Sequence, residues 1–118
     1  MPFEWIKENS VPHITISKTG IALDKAALET FSGAERIIIG INKEDEEIAF
    51  KAHFGEQGVE SFEIGEHKIK QGWLRINNKD VLRYINMTFK LSPEIPYRYV
   101  PETRDGMLIV RIRNNIKK

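Results

Sequence analysis

The sequence predicts an α+β domain of two related strand–helix–strand–strand halves, in which mostly antiparallel sheet packs against two helices. An internal echo is the main observation behind this prediction. Residues 20–24 (GIALD) and residues 73–77 (WLRIN) each precede a short amphipathic segment. Ile16 corresponds to Ile69 and Phe31 to Tyr84, so 53 positions separate both pairs. Self-similarity at a fixed shift indicates repeated structural units that share one core.

Length and composition predict the domain organisation. The chain has 118 residues, of which 41% are hydrophobic and 30% are charged. These values are typical of one globular domain that can bury its own core. We expect a single domain over residues 1–118, with half-repeats at approximately 12–52 and 66–113. The mostly polar, glycine-containing residues 53–58 predict the joint between the halves.

The first half contains the pattern strand–helix–strand–strand. Residues 14–17 alternate between apolar and polar side chains, which predicts a half-buried strand; Thr19–Gly20 breaks or bulges it, and Ile21 and Leu23 resume the alternation. Asp24 follows as a helix N-cap, since its carboxylate can accept hydrogen bonds from first-turn N–H groups. Residues 36–41 are rich in isoleucine, and residues 48–51 alternate again, so these two segments predict a hairpin.

The second half begins with a predicted hairpin and helix. We expect residues 59–64 and 67–70 to pair around Gly65 and Glu66, before a strand that contains Leu74 and Ile76. Asn77 and Asn78 provide the second N-cap site. The helix that follows has a core-facing stripe formed by Val81, Leu82, Ile85 and Phe89.

Two further strands complete the predicted fold. Residues 97–100 and 107–112 are rich in β-forming side chains, and Asp105–Gly106 is a turn signal between them. The periodicities together predict a core that contains Ile16, Leu23, Leu28, Phe31, Ile38, Ile48, Phe50, Ile76, Val81, Ile85, Phe89, Leu108 and Val110.

Composition also limits the class of function. No apolar run approaches the roughly 20 residues that cross a bilayer, and the N-terminal residues lack the basic and apolar regions of a secretory signal. The chain contains no cysteine, which excludes disulfides and thiolate chemistry and favours a cytoplasmic location. We therefore expect a soluble protein that does not enter the membrane.

The residues do not form a recognisable catalytic or metal-binding motif. His13, His53 and His67 lack a second ligand at metal-binding spacing. The acidic residues 44–47 lack the alternating ligands and glycine of a calcium loop, so a solvated turn is the favoured interpretation. Phosphate-binding glycine motifs and nucleophile motifs are also missing. The sequence therefore predicts a protein that is not an enzyme and has no cofactor, no catalytic residue and no metal.

Charge is distributed unevenly, although the net charge is only +1. Residues 1–59 contain six Lys/Arg against ten Asp/Glu, and residues 60–118 contain twelve against seven. A basic half favours an anionic partner such as nucleic acid, whose phosphates lysine and arginine neutralise. The candidate contact residues are Lys68, Lys70, Trp73, Arg75, Lys79 and Arg83.

Two alternatives stay open for this basic segment. Lys79, Arg83 and Lys90 share one helical face, which is either a phosphate-binding surface or the solvated side of an amphipathic helix. Trp73 is either an exposed stacking residue or part of the core.

Residues 14–31, followed by Ala34–Glu35–Arg36 and a β-hairpin, resemble the swapped-hairpin (AbrB/MazE-like) DNA-binding domains of transition-state regulators and antitoxins. The resemblance covers residues 14–52. Asp24 stands where that family usually has proline, and Ile21 where it has a basic residue. Together with the internal echo, the resemblance implies that one chain supplies both halves of an assembly that the family forms as a dimer. A similar pseudo-twofold occurs in TATA-binding-like folds.

We therefore expect a small non-catalytic binding protein that uses its basic second half to bind nucleic acid, in a role related to transcription. The alternative is a protein-interaction module without nucleic-acid binding, such as an accessory or inhibitor protein of a mobile element. Its basis is the acidic first half and the apolar N-terminal residues Phe3, Trp5 and Ile6. These three either clamp over the sheet or contact a partner, which includes a second copy of the chain.

Overall fold

The computed structural model describes residues 11–31, 34–53, 55, 57–64, 69–70, 73–92 and 94–114. The described strands form two antiparallel sheets. Sheet A has the spatial order β6-β7-β2-β1-β8. Its strands are β1 (Ile14–Ser17), β2 (Gly20–Asp24), β6 (Ile69–Lys70), β7 (Trp73–Ile76) and β8 (Tyr97–Tyr99).

Sheet B has the spatial order β5-β3-β4-β10-β9. Its strands are β3 (Arg36–Asn42), β4 (Glu47–Ala52), β5 (Ser61–Glu63), β9 (Glu102–Arg104) and β10 (Met107–Arg111), and a 3-10 turn, Ile112–Asn114, follows the last of them. Strand β4 pairs with β10 over residues 47–50 and 108–111, so the centre of this sheet joins the two halves of the chain.

Both helices begin where the sequence predicts an N-cap. The Asp24 carboxylate accepts a hydrogen bond from Ala27 N at 2.9 Å, and helix α1 (Lys25–Glu29) follows. The Asn78 side chain accepts hydrogen bonds from Asp80 N and Val81 N, both at 3.0 Å, and helix α2 (Lys79–Phe89) follows. These bonds satisfy backbone donors that have no partner within the helix.

One apolar cluster joins the two sheets and both helices. Strand alternation sends Ile16, Leu23, Phe50 and Leu108 into this core, and helix α2 adds Ile85. The predicted residues Leu28, Val81 and Phe89 are partly buried against the same cluster. The single core and the antiparallel sheets confirm the predicted α+β class.

One core prediction differs from the structure. Ile37 is buried in the core, and Ile39 and Ile41 pack against it. Because successive side chains point to opposite faces of a strand, Ile38 lies on the outer face of sheet B. The sequence run of three isoleucines did not reveal which alternate set faces inward.

The expected hairpin between residues 59–64 and 67–70 is wrong. Strand β5 pairs with β3 in sheet B, whereas β6 pairs with β7 in sheet A. Arg36 stabilises the actual position of β5, because its Nε donates to Ser61 Oγ at 2.7 Å and its Nη2 donates to Ser61 O at 2.9 Å. Phe62 also packs against the core from this strand.

The two predicted strands that close the fold belong to different sheets. Strand β8 pairs with β1 in sheet A, and β10 forms its hairpin with β9, a short strand that the sequence did not predict. Tyr99 bridges the two sheets, since its phenol donates a hydrogen bond to Ile112 O at 3.2 Å.

Candidate nucleic-acid interface

Helix α2 presents two of the predicted basic residues on its exposed side. Leu82 and Ile85 are buried against the core, so the helix has a fixed rotation about its axis. Lys79 and Arg83, one turn apart, are both exposed. Their charged groups therefore project from a helix that the core already positions, and neither needs a conformational change to meet a ligand.

The turn between β1 and β2 lies beside this helix and adds a third cation, Lys18. The turn consists of Lys18 and Thr19, because Ser17 pairs directly with Gly20. Gly20 has a φ of +145°, and a Cβ there would lie 2.6 Å from Ile76 O. Only glycine allows this close approach, which brings the turn up to strand β7. Arg75 of β7 donates a hydrogen bond to Thr19 Oγ1.

A groove of about 510 Å³ lies between this turn and helix α2. We call it the α2 groove. It is lined by Lys18, Lys79, Leu82, Arg83, Asn86, Met87 and Leu91. Its three cations come from two separate elements, while most of the remaining lining is aliphatic.

The cations of the α2 groove have no acidic partner within the described part of the chain. Within those residues, no carboxylate lies within 4.0 Å of the charged groups of Lys18, Lys79 or Arg83. In the described part of the chain these charges face solvent rather than a carboxylate. Cations that neutralise phosphates release the counterions condensed on a nucleic acid, and this release favours binding.

Three other basic residues of the second half, Arg104, Arg111 and Arg113, pair with carboxylates. Arg104 lies 3.3 Å from Glu47 and 2.9 Å from Glu102, and Arg111 contacts the same two carboxylates at 3.4 and 3.0 Å. We call these four residues the ion-pair cluster. It lies on the outer face of sheet B. Arg113 pairs with Glu46 nearby.

Glu47 is the centre of the ion-pair cluster. It is only 8% exposed, and its two oxygens face the Arg104 guanidinium at 3.4 and 3.3 Å. The hydrogen bonds and negative charge of Glu47, with a smaller contribution from Glu102, raise the pKa of Arg104 above its usual range. The arginines here neutralise the protein's own carboxylates.

The six sequence-predicted site residues are therefore not all in one place. Lys79 and Arg83 line the α2 groove, whereas Arg75 does not line it and contacts Thr19, the neighbour of Lys18 in the β1–β2 turn. Trp73 is half-buried on the face of sheet A opposite to the core-facing Leu74.

Lys70 and Lys68 are predicted contact residues whose side chains lie outside what the structure describes. The backbone of Lys70 belongs to β6 and pairs with Trp73, and Lys68 lies outside the described residues. The structure thus places Lys79 and Arg83 with Lys18 in the α2 groove, and Arg75 against Thr19 of the same turn.

Lys18 is the residue that the sequence reasoning missed. It lies in the acidic half of the chain, and a count by halves therefore concealed it. The signal that was available is local: Lys18 is one of two residues in a tight turn before a glycine, where its side chain must be exposed.

His13 and Asp45 contact neighbouring protein side chains. His13 Nδ1 lies 3.3 Å from Asp24 Oδ2, and His67 lies outside the described residues. Asp45 accepts from Asn42 Nδ2 at 3.0 Å within the β3–β4 turn. Across the described residues, no three His, Asp or Glu side chains come together in a group able to hold a metal ion. Nor does that part of the chain contain a helix long and apolar enough to cross a membrane.

Comparison of the chain with protein-family models, curated proteins and solved structures found no match. The site must therefore be interpreted from its own geometry and charge.

Proposed function

We propose that this chain is a small non-catalytic nucleic-acid-binding protein that holds a phosphate backbone along the α2 groove. The observation that supports this function is that Lys18, Lys79 and Arg83 line one groove and have no acidic partner among the residues that the structure describes. Unpaired cations that converge from two elements can contact successive phosphates of one strand. Scattered surface lysines lack this arrangement.

The spacing of the helix cations fits such a ligand. Lys79 and Arg83 are four residues apart, which corresponds to roughly 6 Å along a helix axis. Lys18 stands on the other wall of the groove, and the nearby Arg75 extends the basic surface along β7. A strand that runs between the walls would meet positive charge on both sides. Affinity that arises this way falls as salt rises.

We also propose that the two halves are a true internal repeat. The hairpin registers support it: β1 pairs Ile16 with Ile21, and β6 pairs Ile69 with Leu74, so the two hairpins share one register after a shift of 53 positions. Strand β2 then pairs with its counterpart β7 across the middle of sheet A. A role related to transcription and a cytoplasmic location complete the proposal.

The first test is a double substitution in the groove, Lys79→Gln with Arg83→Gln. Both side chains are exposed and lack an acidic partner among the described residues, so the melting temperature should change little. The affinity for a fluorescent oligonucleotide, measured by anisotropy near 150 mM salt, should fall by about tenfold or more, since two phosphate contacts are lost.

A matched control removes the same charge elsewhere. Arg111→Gln with Arg113→Gln also deletes two positive charges, but from side chains that already pair with Glu47, Glu102 and Glu46. The control should keep affinity within about threefold of the parent chain. Equal losses in the two variants would show that net charge, rather than the groove, determines binding, and would contradict the proposed site.

A protein-interaction module is the second candidate function. One observation favours it: helix α2 exposes two large side chains, Met87 at 73% and Tyr84 at 52%. Apolar exposure of this kind is common at protein-binding surfaces. If the chain bound no oligonucleotide even at low salt, protein binding would become the favoured function of the α2 groove.

A further inference from the structure

We infer that the α2 groove accepts single-stranded nucleic acid in preference to a duplex, an inference that rests on the proposed function. The distinguishing feature is the composition of the groove. Cations stand on its walls, but the surface between them is formed mainly by Leu82, Met87 and Leu91. A site for phosphates alone has no need of such an aliphatic surface.

Met87 is the most informative of these residues. It is 73% exposed, so a polar side chain could occupy this helix position without loss of packing. Methionine is flexible and polarisable, so it adapts to flat ligands of different shape. Its position in the groove wall provides an apolar contact that becomes buried only when a ligand arrives.

Unstacked bases supply the complementary surface. A base has two apolar faces, which duplex stacking hides and a single strand exposes. Proteins bind extruded or single-stranded bases between aromatic or other apolar side chains, while cations follow the backbone. In the α2 groove, phosphates would meet Lys18, Lys79 and Arg83, and a base would lie against Met87 and Leu91.

The dimensions and the remaining polar group agree with this arrangement. A volume of about 510 Å³ is within the range of roughly 300–1,000 Å³ that holds small molecules. The exposed surface of the groove therefore has room for a base. Asn86 also lines the groove, and its side-chain amide makes no hydrogen bond within the described residues. It can donate to and accept from a base edge.

The test compares three labelled ligands of equal length: a thymine single strand, a duplex, and a strand of abasic sites that retains the phosphates. Binding is measured by anisotropy with the intact chain near 150 mM salt. The single strand should bind about tenfold more tightly than the other two, since a base that packs against the aliphatic surface adds apolar burial to the phosphate contacts.

A substitution in the groove supplies the second arm. Met87→Ser should reduce affinity for the thymine strand by about fivefold and leave the duplex and abasic ligands unchanged, since only base contacts are lost. The matched control is Tyr84→Ser, which changes an exposed side chain of the same helix that does not line the groove. The control should bind all three ligands like the parent chain.

The outcomes separate this inference from the proposed function. Equal affinity for all three ligands, with loss in the Lys79→Gln/Arg83→Gln variant, would overturn the single-strand inference and leave phosphate binding intact. No affinity for any of the three, even at low salt, would overturn both. Binding of an acidic amphipathic peptide with no oligonucleotide binding would also overturn both and assign the groove to a protein partner.

Discussion

Two basic regions of this molecule differ in what faces their positive charges. In the ion-pair cluster, Arg104 and Arg111 share Glu47 and Glu102 at 2.9–3.4 Å. In the α2 groove, Lys18, Lys79 and Arg83 have no such partner in the described chain. A count of basic residues therefore overestimates the number of cations available to a ligand when strand pairing brings carboxylates beside them.

The two regions also differ in how readily their cations can contact a ligand. Arginines in the ion-pair cluster are held by fixed carboxylates, and they contribute to the position of β9 against β10. A ligand phosphate would have to displace those carboxylates, at a cost. Cations in the α2 groove face solvent in the described structure, so they can neutralise phosphates and release the counterions condensed on a nucleic acid, with a gain in entropy.

The largest expected effect concerns the core that supports both regions. Burial, with a smaller contribution from Tyr97, raises the pKa of the Tyr99 phenol to about 12. An unfolded tyrosine ionises near pH 10, so above that pH the unfolded state loses its phenol proton while the native state keeps it. The stabilisation is therefore complete below pH 10 and is lost progressively as the pH rises towards 12. The free energy of unfolding should therefore fall between pH 10 and 12, by on the order of 2 kcal/mol.

Urea denaturation across this pH range measures the effect. Tyr99→Phe is the control, because it keeps the ring and removes the titrating group; the Phe variant should lose less stability over the same interval. Parallel pH profiles for the two chains would contradict the assignment of the alkaline loss to Tyr99.

The next effect tests the ion-pair cluster. Glu47→Gln keeps the shape of a side chain that is 8% exposed but removes the charge that faces Arg104 and Arg111. We expect the free energy of unfolding to fall by about 1.5 kcal/mol, since a buried charged acceptor is lost while the arginines can still reach solvent. Thermal and urea unfolding check this value.

The same variant sharpens the comparison between the regions. Its oligonucleotide affinity should equal or slightly exceed that of the parent chain, because the ion-pair cluster is not the proposed site. An affinity loss in Glu47→Gln without loss of stability would move the binding surface to the outer face of sheet B.

The smallest expected effect concerns Lys18, the groove residue that the charge count by halves did not identify. Lys18→Gln removes one exposed cation from the β1–β2 turn, so stability should hold and affinity for an oligonucleotide should fall about threefold. Lys25→Gln is a control from the same acidic half, since Lys25 is exposed and does not line the groove. Identical affinities for these two variants would remove Lys18 from the site.

Local signals explain how much of the fold could be predicted. Asp24 and Asn78 are N-caps because short polar side chains satisfy free first-turn donors wherever a helix begins, and the stripe of helix α2 follows from its period. The partner of each strand was harder, because pairing depends on distant contacts. Hydrogen bonds from Arg36 to Ser61 hold β5 in sheet B, and no sequence pattern near residue 61 predicts this pairing.

The same distinction applies to the candidate site. Helical spacing places Lys79 and Arg83 together from the sequence alone, since residues four apart share a face. Lys18 joins them only because Gly20 lets its strand approach β7, and Arg111 is paired only because β4 and β10 become neighbours. Which charges pair across strands depends on which strands are neighbours in the sheet, and the sequence of one chain did not show the strand order.

The most direct test of the account is the salt dependence of oligonucleotide binding in the two double variants, Lys79→Gln/Arg83→Gln and Arg111→Gln/Arg113→Gln. Both lose the same charge. The slope of log affinity against log salt should become shallower by about 1.5 for the groove variant, which loses two phosphate contacts, and stay close to the parent value for the ion-pair variant. Equal slopes in the two variants would contradict the claim that unpaired cations in the α2 groove bind the phosphates.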